Sequence, residues 1–412
     1  MLYPRNSLNK IKKWYDDDQI LLLNGPRQVG KTSILMKIKE DLENTGKQVC
    51  YLNLEDLTFL SDLNASPRNL LKYAPNQSAR NFFLLDEIQY LDNPSHFLKQ
   101  LFDDHKGKVK IIATGSSSLE IKAKLQDSLA GRKISFAIAP LNFEEFLLFK
   151  QSPLFGRLAS ETRPLAMQDQ FIALLKEYLI YGGMPAVVLQ NDIEKKKILL
   201  QEYVSAYVNK DIRSIGKIDN IAEFNQLIKL LSAQIGNLIN LNELGATLKI
   251  TRRELKKYFD LLNYTYVFDL VRPFSINIRS QITKMPKGYF FDLGIRNQIL
   301  DNFLPTENRT DAGALFENWL YLELKNSMPS ENIYFYRTTN QTEIDFIVQK
   351  DGRYSPIEAK FKVFDRALKN RAMEFLRRKN PVVNSGVCVN LNYNQSGDGI
   401  RYTDFMNFLA EL

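Results

Sequence analysis

The stretch that decides the fold reads Gly25-Pro26-Arg27-Gln28-Val29-Gly30-Lys31-Thr32, followed by Ser33. It matches the pattern G-x-x-x-x-G-K-[S/T] at every fixed position, and it lies between an apolar run (20–23) and a helical pattern (33–43). Glycines in such a turn let backbone N–H groups close around phosphate oxygens, and the N-terminus of the following helix favours an anion. We expect Lys31 to reach the outer phosphates of a nucleotide and Thr32 to bind Mg²⁺. The sequence therefore predicts a phosphate loop over residues 25–33.

A second apolar run ends in two acids, as Phe82-Phe83-Leu84-Leu85-Asp86-Glu87. After a phosphate loop, the first acid is expected to hold Mg²⁺ through water, and the second to orient and deprotonate the attacking water. Two solvated carboxylates at a strand end are the alternative. Glu87 is the residue that indicates hydrolysis rather than nucleotide binding alone.

Two further positions are candidates for the same chemistry. Thr114 and Ser116 follow the apolar run 109–112, and ligands bind at the carboxyl ends of parallel strands, so either hydroxyl could contact the γ phosphate. An ordinary Gly/Ser turn is the alternative. Arg132 follows Gly131, and its guanidinium could neutralise charge on the transferring phosphoryl group, from within the chain or from a neighbouring chain. A surface salt bridge explains Arg132 equally well.

Short apolar runs alternate with helical patterns throughout residues 1–150. The runs lie at 20–23, 49–52, 82–85, 109–112 and 134–137. This alternation predicts an α/β fold in which helices cover both faces of a parallel sheet. Later patterns predict a helical segment at 164–215, which the resemblance described below implies to be a lid, a winged helix at 216–300 and a C-terminal α/β domain at 311–412.

The composition excludes several classes of protein. The chain has 412 residues, of which 44% are hydrophobic and 25% charged, which is ordinary for globular proteins and excludes wholesale disorder. Cys50 and Cys388 are far apart and only two histidines are present, which leaves little basis for a disulfide scaffold or a zinc site. No apolar run approaches the ~18 residues of a membrane span. We expect a cytoplasmic protein without a membrane partner, whose net charge of +8 permits a nucleic acid partner but does not require one.

The middle of the chain predicts a winged helix. A short helix (241–248) and a turn precede a second helix (252–263), in which Thr251 and Glu254 form a capping box. The runs 267–270 and 289–292 are the predicted wing strands. The exposed side of the second helix carries four basic residues: Arg252, Arg253, Lys256 and Lys257. They could contact DNA phosphates, or they could form a solvated face of a structural domain.

The C-terminal segment places acids on a predicted hairpin. Its strands are 343–348 and 356–361, with a turn at Asp351-Gly352. A period of two puts Glu358 and Lys360 on one face, where Asp345 of the partner strand can join them. Glu317 lies on the preceding predicted helix and could approach the same face.

This arrangement, an Asp followed by Glu-x-Lys on the next strand, resembles the catalytic core of the PD-(D/E)XK nucleases. Asp345 and Glu358 would offer oxygens to Mg²⁺, and Lys360 would position the attacking water. An amphipathic hairpin with a cross-strand Glu–Lys pair is the alternative. The basic stretch after the hairpin, which includes Arg377, Arg378 and Lys379, is either a nucleic acid contact or a solvated face of a helix predicted at 365–379.

Taken together, the motifs resemble a family of prokaryotic AAA-type ATPases. The stretches that carry the resemblance are Gly25–Thr32, Leu85–Gln89, Thr114–Ser117, Ser128–Arg132, Pro140–Phe146, Gly182–Pro185, Tyr289–Gly294, Phe316–Asn318 and Ile357–Lys360. The resemblance implies an ATPase core that uses ATP and Mg²⁺, a helical lid, a winged helix and a nuclease-like C-terminal domain. The lid segment departs from the pattern because it has no clear second arginine sensor.

Two functions follow from this sequence. In the first, ATP hydrolysis drives or gates the C-terminal nuclease-like module, acting on DNA, in a protein that self-associates. In the second, the chain is a nucleotide-controlled oligomeric switch or scaffold without nucleic acid chemistry. Stimulation of ATP turnover by DNA would favour the first, and nucleotide-dependent assembly without a response to DNA would favour the second.

Overall fold

The structure is a computed structural model that describes residues 3–76, 78–116, 129–160, 163–206, 218, 220–275, 281, 284–338, 342–367, 370–397 and 399–412. The chain divides into two compact units. The first comprises Met1–Ala139 with the short segments Lys210–Lys217 and Tyr264–Tyr266. The second comprises Pro140–Asn209, Ile218–Asn263 and Val267–Leu412.

The described part of the first unit contains a parallel sheet. Its strands are β1 (Ile20–Gly25), β2 (Gln48–Asn53), β3 (Asn81–Asp86), β4 (Val109–Ser116) and β5 (Lys133–Ala137). They lie in the order β2-β3-β4-β1-β5, and every neighbouring pair is parallel. Each predicted apolar run lies inside one of these strands, which confirms the predicted parallel sheet.

The described part of this unit also contains helices. They are α1 (Asn6–Lys12), α2 (Lys31–Asn44), α3 (Leu57–Ala65) and α4 (Pro94–Asp104). Asp56 and Asn93 begin α3 and α4 by accepting hydrogen bonds from backbone N–H groups of the first turn. Every residue of β3 is buried, so this strand is covered on both faces, which explains its continuous apolar sequence.

The second unit combines helices with a mixed sheet. Its helices are α5 (Phe143–Phe149), α6 (Leu165–Tyr181), α7 (Pro185–Leu189), α8 (Ile193–Tyr203), α9 (Ile221–Ala233), α10 (Leu241–Leu248), α11 (Arg252–Tyr264), α12 (Leu293–Ile299), α13 (Ala312–Ser327), α14 (Arg371–Lys379) and α15 (Phe405–Glu411). Its strands are β6 (Phe268–Pro273), β7 (Lys287–Phe290), β8 (Ile333–Arg337), β9 (Glu343–Lys350), β10 (Arg353–Ala359), β11 (Gly386–Asn390), β12 (Gln395–Gly397) and β13 (Ile400–Asp404). The sheet order is β12-β13-β11-β10-β9-β8-β6-β7.

Helix α5 belongs to the second unit, although the sequence pattern extended the first domain to residue 150. The ring of Phe143 lies 6.1 Å from the ring of Trp319 and 5.8 Å from that of Phe405. Its backbone N–H donates to Glu323 Oε1 at 2.8 Å. These partners are distant in sequence, so no local pattern could assign α5 to them.

The predicted wing strands continue the C-terminal sheet. β6 pairs antiparallel with β7, as expected, but it also pairs parallel with β8. β7 ends at Phe290, whereas the sequence pattern extended this strand to Asp292. The side chain of Asp292 instead accepts from the backbone N–H of Ile295 and caps α12. The predicted capping box of α11 is confirmed, because Thr251 and Glu254 exchange hydrogen bonds of 3.2 Å.

The C-terminal hairpin has the predicted two-residue turn. Asp351 and Gly352 have φ angles of 50° and 74°, as tight hairpin turns require. The helix predicted from residue 365 begins instead at Arg371, because the side chain of Asn370 caps its first turn. On this helix Ala372 and Leu376 are buried, whereas Phe375 is 45% exposed.

Glu323 makes the stability of the second unit depend on pH. Burial raises the pKa of this carboxyl to about 8, despite the hydrogen bond from the Phe143 N–H. The ordinary value in an unfolded chain is about 4.3. Between these two pKa values the unfolded chain releases a proton that the folded chain keeps. The free energy of unfolding therefore decreases as the pH rises from about 4.3 toward about 8.

Replacing Glu323 by Gln should remove that dependence, because the amide keeps an acceptor oxygen but does not titrate. We expect the thermal midpoint of Glu323→Gln to fall less than that of the native chain between about pH 5 and about pH 8. Glu331→Gln, at an exposed position, should follow the native curve. Parallel curves for Glu323→Gln and the native chain would show that Glu323 is ionised in the folded state.

Candidate nucleotide site and C-terminal carboxylate cluster

The phosphate loop joins β1 to α2, as predicted. A Cβ atom at Gly25 would lie 2.2 Å from the carbonyl oxygen of Ile138, so only glycine fits at the end of β1. Gly30 has a φ of 90° and is the N-cap of α2. Gly30 has no side chain that could cap the helix. The first N–H groups of α2 therefore receive no hydrogen bond acceptor from the N-cap residue, and they face the loop, where an anion can bind.

Lys31 is buried inside the loop. Its ammonium donates to the carbonyl oxygens of Gly25 at 3.1 Å and Pro26 at 2.8 Å. Burial lowers the pKa of Lys31, and the nearby Glu87 and Asp86 partly offset this effect. Thr32 and Ser33 are exposed at the start of α2. Exposure leaves the Thr32 hydroxyl accessible for the Mg²⁺ that it is predicted to bind.

The two predicted acids lie at the end of β3. Asp86 is buried, and its Oδ1 accepts from the Thr114 hydroxyl while its Oδ2 accepts from the Tyr51 hydroxyl at 3.0 Å. The backbone N–H of Glu87 donates to the Thr114 hydroxyl oxygen at 2.9 Å. Thr114 therefore connects both acids through its buried hydroxyl, and its contact with the γ phosphate stays a prediction.

Glu87 has an uncommon backbone conformation. Its φ of 57° and ψ of 51° are left-handed, which costs of the order of 1–3 kcal/mol for a non-glycine residue. The side-chain amide of Gln89 donates to Glu87 Oε2. The carboxylate of the predicted general base is thus held by a neighbouring amide two residues along the chain.

The phosphate loop and the acids share one edge of the sheet. Gly25 of β1 is in register with Ser116 of β4, and Leu23 is in register with Thr114. β4 lies between β1 and β3, so the loop at the end of β1 and Asp86 at the end of β3 flank the end of β4. The backbone of Ser116 ends β4, and its side chain lies outside what the structure describes.

Arg132 lies at the opposite edge of the sheet. It precedes β5, and its carbonyl oxygen accepts from the N–H of Ile20, the first residue of β1. The length of β1, about 17 Å, separates that point from the phosphate loop. The guanidinium forms two hydrogen bonds with Asp103, at 2.8 and 3.1 Å. Action on the loop of its own chain is not supported by this position, and action on a neighbouring chain stays a prediction.

Sequence reasoning missed three residues that support the nucleotide site. Tyr51 and Gln89 hold the two acids, and the buried Arg5 donates to the carbonyl oxygens of Val29 and Ala139 at 2.9 and 2.7 Å. Arg5 thereby ties the phosphate loop to the end of the first unit. Gln89 lies two residues after Glu87 and could have been found, but nothing local marks Arg5 or Tyr51.

The predicted C-terminal residues come together with a fourth acid to form what we call the carboxylate cluster: Glu317, Glu343, Asp345 and Glu358. Asp345 Oδ2 accepts from the backbone N–H of Ala359 at 2.9 Å, which fixes β9 against the end of β10. Lys360 lies 2.5 Å from Glu358 Oε1, and its side chain is 46% exposed. Glu358 Oε2 is buried without a hydrogen-bond partner among the described residues.

Besides Glu343, sequence reasoning missed Lys287 of β7, which faces this cluster. Its ammonium lies 2.9 Å from Glu317 Oε1, 2.5 Å from Glu343 Oε1 and 3.8 Å from Asp345 Oδ1. Tyr289 also donates to Glu317 Oε1, at 2.6 Å. The signal was a lysine at the start of the otherwise apolar run Lys287-Gly288-Tyr289-Phe290.

The crowding of acids changes their protonation. Burial, reinforced by Asp345, raises the pKa of Glu317 to about 7, although Lys287 opposes the shift. Burial and Asp345 likewise raise the pKa of Glu358 to about 7, against the effect of Lys360. Within the described ranges, no group of three or more His, Cys, Asp or Glu side chains is arranged to hold a metal ion. The binding of Mg²⁺ by Asp345 and Glu358 and the nuclease role of these residues stay predictions.

Both predicted basic faces are solvent-exposed. Arg252, Arg253, Lys256 and Lys257 lie on the exposed side of α11, and Arg377, Arg378 and Lys379 lie at the exposed end of α14. Among the described helices, none combines the length and apolar character needed to cross a membrane.

Three family models match successive parts of the chain. Residues 17–147 match the model described as "AAA domain". Residues 172–306 and 312–405 match two models described as "Domain of unknown function", DUF8612 and DUF4143 respectively.

Similar proteins span most of the chain. A Haemophilus influenzae protein is 25% identical over 373 residues, which cover 88% of each chain, and a Methanocaldococcus jannaschii protein is 27% identical over 380 residues, which cover 88% of this chain and 81% of the relative. Both are described as uncharacterized. The solved structure of a single-residue variant of Thermotoga maritima RuvB matches with a TM-score of 0.32 at 16% identity, covering 73% of this chain and 96% of RuvB. Residues 17–147 thus match an AAA domain, and residues 172–306 and 312–405 match two domains of unknown function.

Proposed function

We propose that the chain binds ATP with Mg²⁺ and hydrolyses it. The observation that carries this proposal is the placement of Lys31, Asp86 and Glu87 at one edge of a parallel sheet, with Thr114 connecting the two acids. A nucleotide held only for structural reasons would need the loop but not the second acid.

The residues at this edge fit the nucleotide and its ion. The left-handed Gly30 leaves room above the first turn of α2, because the nearest atom to a Cβ placed there would be 4.0 Å away. Mg²⁺ would be held by the exposed Thr32 hydroxyl and, through water, by Asp86, and when bound it would neutralise phosphate charge. Lys31 would bind the β and γ phosphates, and Glu87 would take the proton of the attacking water.

We further propose that ATP turnover drives or gates the C-terminal module on DNA. The support is the exposure of the two basic faces together with the net charge of +8. A nuclease-like role of the module would depend on Asp345, Glu358 and Lys360, which lie close together.

The second candidate is a nucleotide-controlled oligomeric switch or scaffold. Arg132 is the residue that bears on it, because it lies at the end of the sheet opposite its own phosphate loop, paired with Asp103, so that any contact with a nucleotide would have to be made in a neighbouring chain. Self-association would then complete the ATPase site.

ATP turnover, measured over a range of protein concentrations with and without single-stranded and duplex DNA, tests both candidates. Stimulation by DNA supports the first. An ATP turnover rate per chain that rises with protein concentration and does not change when DNA is added supports the second. No turnover under any of these conditions would contradict the proposed ATPase itself.

If DNA binds, its affinity should fall steeply with salt, because each phosphate contact releases counterions. Alanine at Arg252, Arg253, Lys256 and Lys257 together tests α11, and alanine at Arg377, Arg378 and Lys379 tests α14. Replacing the set that binds DNA should weaken binding. It should also reduce the slope of log affinity against log salt concentration by about one for each phosphate-binding side chain removed. Affinity unchanged by both sets would make both faces ordinary solvated surface.

A further inference from the structure

Lys287 is a buried cation surrounded by acids. Only 1% of its side chain is exposed, and the ammonium faces oxygens of Glu317, Glu343 and Asp345. A buried ammonium without partners would cost several kcal/mol, so the acids are what make this position tolerable. Burial alone would lower the pKa of Lys287, but Glu317, Asp345 and Glu343 together raise it above the ordinary value, which keeps the group charged.

The backbone around Lys287 holds it in place. Lys287 pairs with Val271 of β6, and Leu238 forms a bridge with it from the other side. Next to it, the N–H of Gly236 donates to the carbonyl oxygen of Gly288 at 2.9 Å. The side chain therefore enters the carboxylate cluster from a strand that is paired on both sides.

The ammonium uses the oxygens that a divalent ion would need. An ion bound jointly by Glu317 and Asp345 would have to coordinate oxygens of both acids at about 2.0–2.6 Å. The Lys287 ammonium lies between Glu317 Oε1 and Asp345 Oδ1, and Glu317 Oε1 also accepts from Tyr289. Glu358 Oε2 is buried without a hydrogen-bond partner among the described residues, but one oxygen is a single ligand, whereas a hard cation requires several.

We infer that the ammonium of Lys287 is the resident cation of the carboxylate cluster and occupies the position that a divalent ion bound by Glu317 and Asp345 would need. A divalent ion held jointly by Glu317 and Asp345 is then not part of the C-terminal module. This inference is independent of the proposed ATP hydrolysis, which depends on the residues of the first unit.

The test is Mn²⁺ binding to the nucleotide-free, full-length chain, measured by calorimetry. All proteins carry Thr32→Val, which removes the Mg²⁺ ligand of the phosphate loop. We expect no Mn²⁺ site in this background and the appearance of one site in Lys287→Met, which removes the charge and keeps an unbranched side chain. Lys284→Met, at an exposed lysine of the same segment, is the matched control and should show no new site.

Two further variants make the result specific. Adding Asp345→Asn to Lys287→Met should abolish the new site, and Mn²⁺ should raise the melting temperature of Lys287→Met but not of the control. If Lys287→Met does not fold, Mn²⁺ binding to the Thr32→Val protein is the deciding measurement. A Mn²⁺ site there that Asp345→Asn or Glu317→Gln removes would overturn the inference, as would a folded Lys287→Met without a new site.

Discussion

Glu87→Gln is expected to retain ATP and to stop hydrolysing it. The amide keeps the size of the side chain but cannot accept the proton of the attacking water. General-base catalysis contributes about 10²–10⁴-fold, so kcat should fall by that factor while the affinity for ATP changes little. The measurement is steady-state turnover together with equilibrium binding of a fluorescent ATP analogue.

Glu43→Gln provides a control at an exposed acid near the end of α2. It should leave both turnover and affinity at native values. A Glu87→Gln protein that turns over at the native rate would remove Glu87 from the mechanism. The base would then have to be sought elsewhere, although the phosphate loop would still predict binding.

Lys31→Ala should fail at an earlier step, because it removes the cation that faces the phosphates. Charge-assisted hydrogen bonds contribute about 1.5–3 kcal/mol each, so loss of two such bonds should weaken ATP binding by about a hundredfold or more. The ammonium also donates to the Gly25 and Pro26 carbonyl oxygens, so the loop loses two of its own hydrogen bonds. Equilibrium binding measures the first effect, and thermal unfolding without nucleotide measures the second.

Lys37→Ala is the matched control, since Lys37 lies on the same helix and forms an ion pair of 2.8 Å with Glu40 near the surface. Its effect on ATP affinity should be within experimental error, because pairs of this kind contribute little. Native affinity in Lys31→Ala would mean that the loop binds phosphate through its backbone alone.

The sequence predicted those features that depend on neighbours in the chain. The phosphate loop, β1 to β5 and the capping box at Thr251 are each specified within about ten residues, by apolar runs, glycines and short polar side chains. The turn at Asp351-Gly352 belongs to the same class, because the two residues themselves adopt the required left-handed conformation.

The features that were missed depend on partners distant in sequence. Helix α5 packs on Glu323 and Trp319, which lie about 180 residues further along, so no local pattern indicates this packing. Lys287 was overlooked for a similar reason: its acids are on α13 and β9, and a lysine in a short apolar run gives no indication of them. Thr114 was identified, but only the structure shows that its hydroxyl serves Asp86 and Glu87.

The pairing of β6 with β8 has a consequence for how such chains can be inherited. Arg272 and Pro273 of β6 are in register with Tyr334 and Phe335 of β8, and Asn318 of α13 exchanges two hydrogen bonds with the backbone of Phe290 in β7. A gene fragment that begins at residue 312 would encode a sheet whose β8 edge has no neighbour. Recombination at that point would separate halves of one folding unit. We therefore expect the segments matched at 172–306 and 312–405 to occur together in related proteins. A protein that has only the second segment should supply another strand in the place of β6.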